Sequence, residues 1–220
     1  VFYRDTQHVY RVAELDSIPW LDLGFGTKLS PEWPPQPRVW LKQIHSDICV
    51  AADGAAGCLG EGDALVSNTP GACLAIGTAD CIPVLLVDTR LRAIAAVHSG
   101  WRGAARAISV KAVAALGSHF GSRPEDLAVA IGPGICGHCY TVGSEVARRF
   151  RVWFPERDDL DRPTTLDLTE ANRRQLVITG VPPDQIYTGA PCNACSPDEF
   201  HSHRRGGQRG RMISAVGIRP

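Results

Sequence analysis

Ile82-Pro83-Val84-Leu85-Leu86-Val87-Asp88, followed closely by Ala93-Ile94-Ala95-Ala96-Val97-His98, is the stretch on which the fold turns. Both runs are apolar and of strand length, and Pro83 forces Ile82 into extended geometry. The second run ends in a polar tip at His98. Upstream, residues 63–67 and 72–77 read as further strands. Residues 39–45 alternate so that Val39, Leu41, Gln43 and His45 share one face. Downstream, residues 103–116 read as a helix, with Ala104, Ile108, Ala112 and Ala115 at helical spacing and Gly117 as its stop. Residues 127–131 form another apolar strand, closed by Gly132-Pro133-Gly134.

Residues 143–154 are predicted helical, with Val146, Phe150, Val152 and Phe154 as apolar contacts. A further helix is predicted over 167–180, because Asp167 with Glu170 three residues on is a capping-box pattern and Gly180 can end it. Late strands are expected at 185–189 and 212–218. Strands come first, then strands and helices mixed, without regular alternation, so the pattern predicts an α+β fold. No boundary is marked in residues 1–220, so one domain is expected. Pro31-Glu32-Trp33-Pro34-Pro35-Gln36-Pro37 reads as a surface connection.

Composition narrows the function. Lys and Arg total 23 against 23 Asp and Glu in 220 residues. A balanced chain projects no long-range field, so nucleic acid or an anionic membrane is not the expected partner. At 44% hydrophobic and 21% charged the chain is expected to be globular. No apolar run is long enough to span a membrane. The opening Val1-Phe2-Tyr3-Arg4-Asp5 lacks the pattern of a signal peptide. Eight cysteines are too sparse for a disulfide scaffold. A reducing, cytoplasmic location is therefore expected, with most cysteines acting as small apolar residues.

The densest chemistry lies in Thr78-Ala79-Asp80-Cys81 and Val97-His98-Ser99-Gly100-Trp101-Arg102-Gly103. If the strands at 82–88 and 93–98 are antiparallel neighbours, Cys81 and His98 arrive at one end of the sheet. There a thiolate and an imidazole can share a metal, or act as nucleophile and base, and His45 can join them. Two histidines and one cysteine suit a catalytic zinc with an open fourth position. The other reading is that His45 and His98 are hydrogen-bonded strand-end histidines, and spacing alone leaves both open. Gly100 and Gly103 flank Trp101-Arg102 at a helix start, where free N–H groups and the Arg102 fork suit a phosphate or carboxylate. The competing reading is a tight turn with Trp101 in the core and Arg102 in solvent.

Two CxxC pairs occur, Cys136-Gly-His-Cys139 and Cys192-Asn-Ala-Cys195. Ribbon-type structural zinc separates such pairs by roughly 15–20 residues. The gap here is much longer, so the pairs are expected to be packing residues. A dithiol redox role is not expected of Cys136-Gly-His-Cys139 either, since it follows Gly132-Pro133-Gly134 in mid-chain instead of opening a helix after the first strand of a βαβ unit. The basic stretch from His201 to Arg211 is at most a local anion site. A laccase-type trinuclear copper centre draws on about eight histidines beside a separate copper site. The chain has seven histidines in all, which excludes a cupredoxin-type multicopper oxidase.

The sequence also resembles a known family. The matching segments are Lys42-Gln43-Ile44-His45, Gly62-Asp63-Ala64-Leu65-Val66, Ala79-Asp80-Cys81-Ile82-Pro83-Val84 and Val97-His98-Ser99-Gly100-Trp101-Arg102-Gly103. Ile131-Gly132-Pro133, Cys139-Tyr140-Thr141-Val142-Gly143, Ser202-His203-Arg204-Arg205 and Gly210-Arg211 continue the match across residues 39–218. They resemble the laccase-domain family of bacterial purine nucleoside phosphorylases.

The resemblance implies an α/β sandwich of mixed sheets with flanking helices. It implies a catalytic zinc site at His45, Cys81 and His98, with copper as the alternative ion. It also implies phosphorolysis of adenosine, inosine, guanosine and methylthioadenosine to base and ribose 1-phosphate, with deamination of adenosine. Arg102, Gln43 and Arg205 are the expected substrate or phosphate contacts, and Asp80 adjoins the site in sequence. Residues 1–38 match poorly, and Cys192-Asn193 stands where the family has Cys-Thr. Competing expectations are a metal-free Cys–His hydrolase or deamidase, with Cys81 as nucleophile and His98 as base, an enzyme editing peptidoglycan precursors, and a non-enzymatic binding module.

Overall fold

Every residue of the strand Ile82–Asp88 is buried, as is every residue of its neighbour Ala93–Ser99. Side chains alternate across a strand, so such a run needs cover on both faces. Leu85 and Val87, with Ile94 and Ala96, face a second sheet and pack on Leu23, Phe25, Leu74, Ile76 and Val216. Val84 and Leu86, with Ala95 and Val97, face the other way and pack on helical residues such as Ile108, Leu116, Leu168 and Leu176. The architecture is therefore three layers: sheet, sheet and helices.

The computed structural model describes residues 1–34, 37–54, 56–206 and 210–220. The central sheet runs Ile186–Tyr187, Leu127–Ile131, Ile82–Asp88, Ala93–Ser99, Ala64–Ser67, Cys49–Ala51. The outer sheet runs Phe2–Arg4, Tyr10–Val12, Leu21–Phe25, Met212–Ile218, Cys73–Thr78, Val39–Lys42, Gly57–Glu61. Both mix parallel and antiparallel pairs. The fold is thus mixed α and β, as expected. No helix among the described residues is long and apolar enough to cross a membrane.

Several expectations need correction. The predicted helix over 103–116 is two helices, Trp101–Ala105 and Ile108–Phe120, broken at Ala107, which has left-handed backbone at φ 58°. Gly117 lies inside the second helix, and Gly121, at φ 76°, is what ends it. The predicted helix over 143–154 is only Ser144–Ala147, continued as the short 3-10 turn Arg148–Phe150. Arg148 and Arg151 then reach Asp161, and Val152 is 70% exposed, so it is no core contact. The strand over 39–45 ends at Lys42.

The helix Leu168–Ile178 forms as expected, with the Asp167 carboxylate accepting from Glu170 N. The Glu170 carboxylate pairs forward with Arg173 and Arg174, so this cap is not a reciprocal box. The short strands before residue 30 were not anticipated. The expected 31–37 connection and the basic stretch fall partly on residues 35, 36 and 207–209, outside the described residues.

Candidate metal centre

The strands Ile82–Asp88 and Ala93–Ser99 are antiparallel, with His98 opposite Pro83 and Ser99 opposite Ile82. That register brings Cys81 and His98 to the same sheet end, as anticipated. His45 arrives from the outer sheet, three residues past the end of Val39–Lys42. The chain turns there through left-handed backbone, with φ 58° at His45. The ligand atoms of His45, Cys81 and His98 all lie within 4.8 Å of one another. Cys81 Sγ is 4.0 Å from His45 Nε2, and the two imidazoles meet edge to face at 5.0 Å. His98 is buried, Cys81 half-buried and His45 exposed.

Asp63 holds this arrangement together. Its carboxylate is fully buried and accepts from His98 Nδ1 at 2.7 Å. It also accepts from the backbone N–H groups of Ile44, His45 and Ser46, and from the Ser46 hydroxyl. One side chain therefore fixes the ring of one candidate ligand and the backbone of another. Burial alone would raise the Asp63 pKa, but the bonds from His98 and Ser46 outweigh it and bring it to about 2. Sequence reasoning gave Asp63 no role, because a lone Asp before an apolar strand carries no pattern of its own.

Charge is balanced around the thiol. Burial disfavours its ionised form, yet hydrogen bonding to His45 and His98 lowers the Cys81 pKa to about 6. Burial likewise opposes the imidazolium of His98, while Asp63 and Cys81 raise its pKa to about 9. Each group favours the charged form of the other. Gly100 leaves room here: a Cβ there would stand 3.0 Å from both Cys81 Sγ and His45 Cδ2.

The trio lies in a cavity of about 520 Å³, within the usual range for small-molecule sites. Trp101, Tyr140, Ile135 and Leu168 supply apolar wall, and Arg102, Arg204 and Arg211 supply cationic forks. Arg102 stacks 4.5 Å above the Trp101 ring, and Arg204 lies 5.0 Å from the Tyr140 ring. Asp80 also lines the cavity, from left-handed backbone at φ 82°. Its Oδ2 accepts from Arg204 N at 2.7 Å, while its buried Oδ1 has no hydrogen-bond partner among the described residues.

The expected contact residues divide. Arg102 lines the cavity. Gln43 lines it too, but its amide is paired with the backbone N–H and carbonyl of Gly77. Arg205 is not a lining residue: its guanidinium donates to the Ala194 carbonyl at 2.7 Å. Successive helical residues project in different directions, so His203 and Arg204 face the cavity instead. Tyr140 and His203 had no assigned role in the sequence reading.

The two CxxC pairs come together: all four thiols of Cys136, Cys139, Cys192 and Cys195 lie within 4.8 Å of one another. A parallel backbone bridge between Gly134 and Cys192 cancels the long sequence gap.

The donor set at His45, Cys81 and His98 fits a catalytic divalent metal. Zn–S and Zn–N bonds of about 2.3 and 2.0–2.1 Å place tetrahedral ligands about 3.6 Å apart, close to the Cys81–His45 separation. The carboxylate on the remote nitrogen of His98 is the partner that metal-binding imidazoles commonly have.

Comparison with known proteins gives the family. The model of the family "Multi-copper polyphenol oxidoreductase laccase" matches residues 28–219. A purine nucleoside phosphorylase of Deinococcus radiodurans is 41% identical over 184 residues, covering 81% of this chain and 69% of that protein. One from Bacteroides thetaiotaomicron is 38% identical over 168 residues, 71% of this chain and 60% of that protein. The adenosine deaminase RL5, from an unknown prokaryotic organism, is 36% identical over 161 residues, 70% of this chain and 61% of that protein. The crystal structure of YlmD from Geobacillus stearothermophilus superposes with a TM-score of 0.89 at 26% identity, covering 100% of this chain and 99% of that one. The chain belongs to the multi-copper polyphenol oxidoreductase laccase family of enzymes, whose named relatives include purine nucleoside phosphorylases and an adenosine deaminase.

Proposed function

We propose that this chain is a zinc-dependent purine nucleoside phosphorylase that also deaminates adenosine, acting in the cytoplasm, where its thiolate stays reduced. The observation that carries the reading is the convergence of His45, Cys81 and His98 inside a cavity that also holds Arg102, Arg204 and Arg211. The names of the relatives support the substrate class.

His45, Cys81 and His98 would hold the zinc ion, which would supply Lewis acidity and lower the pKa of water. The remaining work falls to the chain. Phosphorolysis needs an oxyanion aligned with the anomeric carbon of the ribose, and the guanidinium of Arg102, beside the Trp101 ring, provides a planar fork for it. The apolar faces of Trp101 and Tyr140 accommodate a purine ring. Asp80, which lines the cavity and whose Oδ1 has no hydrogen-bond partner among the described residues, is the nearby carboxylate that could accept a proton. Asp63 keeps His98 oriented.

Incubation of the purified protein with adenosine and phosphate, followed by chromatography, tests this reading. Adenine, inosine and ribose 1-phosphate are expected above a Cys81→Ala control; their absence would overturn it. A second reading, a metal-free Cys–His hydrolase, is favoured by the proximity of Cys81 to His45 and His98 and by its lowered pKa. Metal content separates the two. Stoichiometric zinc that falls in a His45→Ala variant supports the first, and full turnover by metal-stripped protein supports the second.

A further inference from the structure

The two CxxC turns lie apart from the His45, Cys81 and His98 trio, and the proposed reaction uses neither. Each is a tight knuckle. Cys139 N and Tyr140 N donate to the Cys136 carbonyl, and Ser196 N donates to that of Cys192. Asn193 N donates to the Gly134 carbonyl at 3.0 Å, next to the Gly134–Cys192 bridge. The knuckles therefore face each other in a fixed register. Cys136 N donates to Cys192 Sγ at 3.2 Å, and Cys139 Sγ lies 3.5 Å from Cys195 Sγ.

Simple packing does not account for this group, because three of the four cysteines are only half-buried and Cys195 is exposed. All eight cysteines are free thiols. Four sulfurs with every pair within 4.8 Å surround a single centre. With Zn–S bonds of about 2.3 Å, the edge of a ZnS₄ tetrahedron is about 3.8 Å, close to the spacing found. Backbone N–H groups directed at a sulfur stabilise a thiolate. Soft all-sulfur donor sets select zinc over harder ions. Four protein ligands leave no open position, so such a site is structural.

We propose that Cys136, Cys139, Cys192 and Cys195 bind one structural zinc ion, distinct from the ion at His45, Cys81 and His98. Its place in the fold gives it a purpose. The first knuckle is flanked by Ile135 and Tyr140, both on the cavity wall. The second leads towards His203 and Arg204, also on that wall, and its Ala194 carbonyl receives the Arg205 guanidinium. Arg204 closes the circuit by donating to the Thr141 carbonyl. The ion fastens together two segments, distant in sequence, that form one side of the cavity.

Elemental analysis of the full chain, purified without chelator, tests the proposal. Two zinc ions per chain are expected in the wild type. His45→Ala should retain one, and so should Cys192→Ser/Cys195→Ser. Cobalt(II) loaded into His45→Ala should give the intense thiolate charge-transfer and visible bands of an all-sulfur tetrahedral site. That spectrum decides the matter even if the double serine variant fails to fold. Retention of a single zinc with no such spectrum, a Cys139–Cys195 disulfide found by peptide mapping, or iron in place of zinc would each overturn the proposal. Activity plays no part in these readouts, so the proposed reaction can fail while the four-cysteine site stands.

Discussion

His98 Nδ1 and the Asp63 carboxylate meet at 2.7 Å in a buried setting where the same carboxylate also receives three backbone N–H groups of the His45 loop. Asp63→Asn keeps the shape but replaces one acceptor oxygen by a donor. Zinc affinity at the His45, Cys81 and His98 site should fall by roughly 10- to 100-fold. Competition with a fluorescent chelator measures this; unchanged affinity would show that the carboxylate does not position the ligands.

Gly100 has ordinary extended backbone, at φ −72° and ψ 169°, so Ala is tolerated there conformationally. The obstacle is space, since the new methyl group would stand 3.0 Å from Cys81 Sγ and His45 Cδ2. Gly100→Ala should fold with an unchanged circular dichroism spectrum and lose at least about tenfold in kcat/KM, or about 1.4 kcal/mol. Wild-type turnover would mean that these ligands need not close together.

The thiol of Cys81 has a pKa lowered to about 6. In metal-stripped protein its reactive thiolate should persist down to that pH. Below it, alkylation by iodoacetamide should slow about tenfold per pH unit as the thiolate is protonated. Burial raises the Cys49 and Cys73 pKa values to about 11, so these should stay unlabelled at neutral pH. Peptide-resolved mass spectrometry across pH 4–9 reads both.

Arg102 and Arg205 separate cleanly. Arg102 lines the cavity, whereas Arg205 is committed to the Ala194 carbonyl. Arg102→Ala should raise the KM for phosphate about tenfold, while Arg205→Ala leaves it within about twofold. Steady-state kinetics with varied phosphate would expose a reversal of that order.

Asn172 is fully buried and joins three elements. Its Oδ1 accepts from the hydroxyls of Ser99 and Ser109, and its Nδ2 donates to the Leu168 carbonyl. Asn172→Ala leaves those groups unpaired and should cost about 2–4 kcal/mol. Calorimetry should show a melting temperature lower by roughly 5–10 °C.

What could be read from sequence depended on whether the signal was local. The strands at 82–88 and 127–131 were legible to the residue because both are continuous apolar runs with both faces covered. Cys81 and His98 followed from the same reading, since two adjacent antiparallel strands share an end. The break at Ala107 was not legible, because no residue type there announces left-handed backbone. The 143–154 helix misled because apolar residues at suitable spacing do not reveal that Arg148 and Arg151 bend towards Asp161. The meeting of the four cysteines was not legible for a related reason. Separation along the chain was taken as separation in space, and one bridge from Gly134 to Cys192 removes it.

Leu85 and Leu86 are adjacent in the chain yet belong to different cores, one between the sheets and one beneath the helices. Perturbations in layers that share no partners are close to additive. The strand Ile82–Asp88 therefore acts as a partition. Of the two layers it separates, the helical one carries Trp101, Tyr140 and Leu168 to the cavity wall, and the sheet-to-sheet one supplies none of the residues that line it.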